Sequence, residues 1–353
     1  MSQPPAHSAR RRPRISIVFS FYNEERVLPE LIRRTRAVLA PMVEREIIAS
    51  YHLIFVNDAS TDGSLAVLQQ QLGDDMLIVN TSRNFGVSEC ALAGFAYADG
   101  DAVVYLDADL QDPPEVIERL VLTWLEDPQL DVVYTTRSRR RGEHALKLAI
   151  TKLGYRLINA ISEVELPLDS GDFKLVSRRA VSEVLRLREQ RPYLRGMVSW
   201  VGFKQAQVLY ERDPRLDGRE NTKFPVISRR VLSGYFDRAL ISFSDVPLKV
   251  ALATGFAVSI CALLYIITVL VQKVMGWYEP GWPALMSAIL LLGGMQLSVL
   301  GIIGLYVNNI FLQSKQRPLY IVASTLPAGT QPFAPEAARP ATETATSLVD
   351  RLG

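Results

Sequence analysis

Apolar residues fall into two kinds of run along this chain. The short ones, Ile15 to Phe21, His52 to Val56, Met76 to Asn80 and Val103 to Leu106, do not alternate with polar residues. Strands buried on both faces of a parallel sheet read this way. Between them, Leu31 to Leu39 and Ser88 to Ala98 repeat apolar positions at helical spacing, and Asp131 to Thr135 adds a fifth strand. Strands alternating with helices predict an α/β fold, a doubly wound and mostly parallel sheet.

The long runs come late. Residues 250–271 and 284–311 carry no charged side chain. At 1.5 Å per residue each reaches roughly 33 Å or more, enough for a ~30 Å hydrocarbon core. The link 272–283 holds Trp277, Tyr278 and Trp282 as interfacial anchors. Ahead of the pair, Arg229 to Ser244 sets Val231, Leu232, Tyr235, Phe236, Leu240, Ile241 and Phe243 among arginines, the pattern of a helix lying in a membrane surface. Cations gather before and after the hairpin, which predicts both termini and the catalytic part in the cytoplasm, at a multi-pass inner membrane protein. The expected organisation is a disordered tail 1–13, a catalytic domain 14–225 and an interfacial amphipathic helix 226–249. There follow a first spanning helix 250–271, an extracytoplasmic loop 272–283, a second spanning helix 284–311, a juxtamembrane segment 312–322 and a disordered tail 323–353.

Composition adds a few exclusions. Lys and Arg number 39 against 37 acids, so net charge gives no sign of a nucleic-acid partner. Cys90 and Cys261 are the only cysteines and His7, His52 and His144 the only histidines, with no zinc-like spacing or disulfide framework among them. No Gly-x-Gly-x-x-Gly follows the first strand and no Gly-x-x-x-x-Gly-Lys occurs, which argues against a dinucleotide dehydrogenase or a P-loop ATPase.

The fourth strand carries the chemistry. It ends in Asp107-Ala108-Asp109-Leu110-Gln111-Asp112-Pro113-Pro114. Alternate residues of an extended strand face one way, so Asp107 and Asp109 can aim at one spot, at the carboxyl end where open α/β sheets bind ligands. Two carboxylates and the Gln111 amide oxygen suit a hard divalent cation, Mg²⁺ or Mn²⁺, that also takes substrate phosphates. The second strand ends in Asn57-Asp58-Ala59-Ser60-Thr61-Asp62-Gly63, and a basic run, Arg137, Arg139, Arg140 and Arg141, follows the fifth.

Tyr22-Asn23-Glu24-Glu25, Asn57 to Gly63, Asn84-Phe85-Gly86, Asp107 to Glu115, Arg195-Gly196 to Trp200 and Lys315 to Tyr320 resemble, in order and spacing, the blocks of the polyprenyl-phosphate glycosyltransferases. These are membrane enzymes akin to dolichol-phosphate mannose synthase and the bacterial undecaprenyl-phosphate glucosyltransferases. The likeness covers roughly residues 14–322. It implies a GT-A type fold and transfer of a sugar from a UDP- or GDP-sugar to a polyprenyl phosphate such as undecaprenyl phosphate, for cell-envelope glycan or glycosylation. It also leaves room for a homo-oligomer and a flippase partner. Asn57 stands where the family usually has Asp, Ser20 where it commonly has Pro, and Leu305 where a Glu is frequent.

The resemblance implies these roles. Asp107, Asp109 and Gln111 hold the metal. Ser20, Tyr22, Glu24, Asp58, Asp107, Arg212, Arg215 and Lys223 bind the donor. Arg137, Arg139 and Lys174 bind the acceptor phosphate. Asp172 and Asp109 are the catalytic pair, Asp172 as base or as a group orienting a cation or the sugar. A phosphate acceptor is already mostly dianionic at pH 7, so it needs little help from a base. Two alternatives stand beside this reading: a processive polysaccharide synthase, which would want a Gln-x-x-Arg-Trp block that is absent here, and a nonenzymatic membrane adaptor on the same fold.

Overall fold

The computed structural model describes residues 12–137, 170–187, 189–190, 192–213, 246–277 and 281–333. Four strands, β1 (Arg14–Phe21), β2 (Ser50–Asn57), β3 (Met76–Thr81) and β4 (Ala102–Asp107), pair in parallel in the order β4-β1-β2-β3. Their crossovers are α1 (Leu28–Glu44), α2 (Ser64–Gln70) and α3 (Val87–Tyr97). After α4 (Val116–Glu126) come β5 (Val132–Arg137), β6 (Ser170–Ser177), α5 (Arg178–Arg186), α6 (Leu194–Trp200) and β7 (Gln205–Tyr210). The long helices α7 (Val246–Val274) and α8 (Trp282–Ser314) precede a last strand, β8 (Val322–Leu326). The full sheet reads β7-β5-β6-β4-β1-β2-β3-β8, with β6 and β8 antiparallel to their neighbours.

The sheet is covered on both faces. Ile15, Ile17, Phe19, Leu53, Phe55, Val104 and Leu106 meet the buried stripes of α1 and α4, while Val18, Ile54, Val56, Val103 and Tyr105 meet α3, α5 and α6. The α1 stripe, Leu28, Leu31, Ile32, Thr35, Leu39 and Met42, has the three-and-four spacing of one helical face. Helix α3 is built from small residues because it lies hard on the sheet. A Cβ on Gly94 would fall 2.2 Å from Val18 Cγ1.

The sheet with its helices, and the pair α7 and α8, are two compact units. In α7 and α8, Leu252, Phe256, Leu263, Leu291, Leu300 and Ile310 are exposed, and windows of mean hydropathy 2.4 and 1.6 make both helices long and apolar enough to cross a membrane. Both run past the expected spans of 250–271 and 284–311. The interfacial helix expected at 226–249 lies outside the described residues except for its last four, which open α7.

One expectation is corrected. The sequence pattern predicts a disordered tail from residue 323, but Val322–Leu326 forms β8, antiparallel on the edge of β3. The Ala, Ser and Pro around it suggest a tail, yet an unpaired β3 edge offers a row of backbone donors and acceptors, and five residues suffice to take them. Leu319, Tyr320 and Val322 pack on the core, and Phe333 N–H donates to the Ala96 carbonyl. The catalytic domain therefore draws its last strand from beyond the hairpin, not from within 14–225.

Candidate active site

Parallel strands bring the ends of β1, β2, β3 and β4 to one edge, with Phe21 beside Asn57 and Ser20 beside Asp107. The turn after β4 is acidic and crowded. Burial first, then the charges of Asp172, Asp109 and Asp112, push the Asp107 carboxyl up to about 7. Its Oδ1 accepts from Tyr105 Oη at 3.2 Å and from Ser20 Oγ at 3.4 Å, and those two hydroxyls are 2.8 Å apart. The Ser20 that replaces a family Pro thus completes a hydroxyl bridge onto the acid. Leu110 takes φ +54°, and the reversed chain lets Gln111 N–H reach Asp109 Oδ1 at 3.1 Å.

The donor set fits a divalent cation. Gln111 Oε1 is buried without a hydrogen-bond partner, and Asp107 shares its buried turn with the charges of Asp172, Asp109 and Asp112. An oxygen-loving ion answers both conditions. Among the described residues no cluster of three or more His, Cys, Asp or Glu forms a cage.

The turn after β2 is built differently. Asn57 Nδ2 donates to Asn80 Oδ1 at 3.0 Å, Asn80 Nδ2 to Ser324 Oγ of β8 at 3.1 Å, and Ser60 N–H to Asn57 Oδ1 at 2.9 Å. With both ends of its amide taken, Asn57 is a strut between strands. Asp58 accepts Phe85 N–H at 2.7 Å and Gly86 N–H at 3.0 Å, anchoring the Asn84-Phe85-Gly86 turn, where Gly86 needs its φ of +121° to open α3. Ser60 Oγ accepts Asn23 N–H at 3.0 Å and Ser64 Oγ accepts Glu24 N–H at 2.9 Å, so the turns after β1 and β2 are one unit. Glu24 is buried there and Tyr22 exposed.

Strand β6 brings Asp172 and Lys174 to the same edge. Arg195 of α6 grips Asp172 with a fork, Nε to Oδ1 at 2.7 Å and Nη2 to Oδ2 at 2.5 Å. Lys174, expected at the acceptor phosphate, is 3% exposed opposite Tyr105. Burial draws its ammonium down to about 8, against the pull of Asp172 and with help from Arg195. Arg212 lies beyond β7 with Nη2 3.9 Å from Asp109 Oδ2. Arg137 closes β5 level with Tyr210 of β7; Arg139, Arg215 and Lys223 lie outside the described residues.

Three residues here escape sequence reading. Asp112 and Tyr210 bond to each other, and Asn80 joins two strands. Asp112 sits in a conspicuous motif, and that was the only signal available.

Residues 16–185 match the family described as Glycosyl transferase family 2. An uncharacterized glycosyltransferase of Bacillus subtilis, YkcC, is 40% identical over 315 residues, 88% of this chain and 94% of that protein. A bactoprenol glucosyl transferase of Shigella phage SfX is 33% identical over 316 residues, 88% of this chain and 99% of that one. Among solved structures, glucosyl-3-phosphoglycerate synthase from Mycobacterium tuberculosis, in complex with Mn²⁺, UDP and glucosyl-3-phosphoglycerate, aligns at 19% identity and TM-score 0.44, over 68% of this chain and 86% of that one.

Proposed function

The chain belongs to glycosyl transferase family 2, and on that footing we propose that it moves a sugar from a nucleotide diphosphate sugar to a polyprenyl phosphate at a membrane face. The observation that carries the reading is the β4 turn, two carboxylates beside a buried amide oxygen that lacks a partner. Asp107, Asp109 and Gln111 are the residues to hold Mg²⁺ or Mn²⁺. Such an ion supplies positive charge to the departing diphosphate.

The reaction forms a bond from an acceptor phosphate oxygen to the anomeric carbon and breaks the bond from that carbon to the diphosphate. The nucleoside diphosphate leaves with the electron pair. Negative charge grows on the leaving group, so fixed cations give the main help, and Arg212 is placed to supply one. Asp172, held in the Arg195 fork, orients rather than abstracts, because the attacking phosphate carries no proton that must be removed at neutral pH. Asp58 serves the donor through the turn it anchors, since both its oxygens are committed to backbone N–H groups. Arg137 and Arg139 remain the acceptor side, whereas Lys174, at 3% exposure, is too enclosed to meet the lipid phosphate.

Relatives that bear the transferase name over 88% of this chain favour an enzyme over an adaptor. The bactoprenol in one such name favours undecaprenyl phosphate as acceptor and UDP-glucose as the first donor to try. We place the enzyme in the inner membrane with α7 and α8 spanning it and both termini cytoplasmic; a reporter at Gly281 then lies on the far side. The deciding experiment offers labelled UDP-glucose and undecaprenyl phosphate, with Mg²⁺ or Mn²⁺, to the purified enzyme. Label in the lipid extract is expected. No lipid label from any UDP- or GDP-sugar overturns the reading.

A further inference from the structure

Asp112 is a buried acid that the reaction above leaves without a task. Its residue is 2% exposed, and a carboxylate so enclosed is costly to desolvate unless it is paired and hydrogen-bonded. Its partners are specific. The Tyr210 hydroxyl donates to Oδ1, and Arg212 Nε lies 3.4 Å from the same atom. The chain around them is fastened as well. Asp213 N–H donates to the Gln111 carbonyl at 3.0 Å, and the Asp213 carboxylate lies 3.7 Å from Arg34, which itself forks onto Glu115 at 2.9 and 2.6 Å. Residues 212 and 213, just past β7, are thereby tied to the β4 turn and the start of α4.

Arg212 stands between two acids, Asp112 at Nε and Asp109 3.9 Å from Nη2. They are not equivalent. A divalent ion held by Asp109 would cancel much of that carboxylate's pull on the guanidinium, whereas Asp112, buried and engaged by Tyr210, would keep its own. Nε makes no hydrogen bond, but the Asp112 charge 3.4 Å away would still draw that end of the guanidinium, leaving the terminal nitrogens to meet the charge of a bound diphosphate. An Arg fork suits phosphate oxygens in a way a point charge does not. We propose that Asp112 is a positioning residue that keeps Arg212 beside the donor's leaving diphosphate, with Tyr210 fixing the rotamer of the Asp112 carboxylate. This rests on the donor-site reading above and deepens it.

The test uses the full-length enzyme in detergent with Mn²⁺ and compares binding of UDP with binding of UMP. Only UDP carries the outer phosphate that Arg212 would meet. Asp112→Asn retains an oxygen for Tyr210 and removes the charge that holds Arg212. UDP should weaken roughly ten- to a hundredfold, UMP by less than about twofold, and kcat with UDP-glucose should fall with UDP affinity. Tyr210→Phe leaves the charge but frees the rotamer, so it should show the same UDP-selective loss at a smaller size, roughly two- to fivefold. In an Arg212→Gln background both effects should vanish, which a merely structural role would not produce. If Asp112→Asn does not fold, Tyr210→Phe decides alone. Equal losses for UDP and UMP, or no loss in either variant, overturn the proposal while leaving the donor reading intact. A wild-type enzyme that neither binds uridine nucleotides nor turns over any nucleotide sugar sinks the donor reading and this proposal with it.

Discussion

The turns after β2 and β4 sit on the same sheet edge and are finished in opposite ways. In the β2 turn, Asn57 and Asp58 spend their polar side chains on neighbouring amides and backbone N–H groups. In the β4 turn, negative charge accumulates faster than it is compensated. Asp107, Asp109 and Asp112 crowd one turn, Asp172 adds its charge, and the Gln111 oxygen faces no donor. Both turns bend through a strained residue, Ala59 at φ +56° and Leu110 at φ +54°, a strain that surrounding structure must hold in place. The first turn is a mould whose shape exists before any ligand arrives. The second is a half-neutralised charge array that needs a cation and phosphates to be at rest. Recognition by shape and recognition by charge are thus separated along one edge, and they should fail separately.

The largest expected effect breaks the charged turn. Asp109→Asn should lower kcat/KM by at least ~100-fold, since even indirect supports of a metal ligand are worth roughly 10- to 100-fold in affinity or activity. Metal titration of UDP-glucose turnover checks it. Activity near wild type at saturating metal would contradict the assignment. Breaking the mould should be milder and of another kind. Asn80→Ala removes the amide between Asn57 and Ser324, and lost neutral hydrogen bonds cost about 1 kcal/mol each. The KM for the nucleotide sugar should rise roughly five- to thirtyfold, with the metal dependence and the KM for the lipid phosphate unchanged. A shift in metal dependence would show that the two turns are not separable.

The smallest effect supplies a control. Glu189 is another acid whose carboxyl is pushed up to about 7, by burial alone. Its unfolded carboxyl titrates near 4.5, so between those values the folded state holds a proton that the unfolded state has lost. Stability from this group therefore falls as pH rises from about 4.5 towards 7. Glu189→Gln should flatten that part of the melting-temperature profile and leave UDP affinity unchanged. A changed UDP affinity would mean that titration of a half-buried acid outside the two turns also reaches the donor.

How much of this was legible in sequence follows from how local each signal is. Strands β1 to β4 are mostly apolar runs with turn residues at their ends, and α7 and α8 hold long uncharged apolar stretches over residues 250–271 and 284–311, so both stand out without knowledge of partners. The acid pair was readable because a strand ends where it begins. Strand β6 was not, because Asp172 and Lys174 interrupt its apolar pattern where the sheet meets the site. Strand β7 carries glutamines, and β8 is five small or polar-flanked residues whose partner Asn80 lies 244 positions away from Ser324. Asp58 reads as a donor ligand in sequence because the N–H groups that occupy it belong to a turn 27 and 28 residues further on.

The late position of β8 has a consequence for the birth of the enzyme. Both apolar helices emerge from the ribosome before the strand that completes the sheet. Until Val322–Leu326 is made, β3 presents an open edge, the kind of surface on which wrong chains pair. The Asn80 amide likewise waits for Ser324. A chain stalled or clipped at its second helix would keep every catalytic acid and still lack a finished donor mould. The order of synthesis thereby ties completion of the catalytic domain to prior passage of the hairpin through the ribosome.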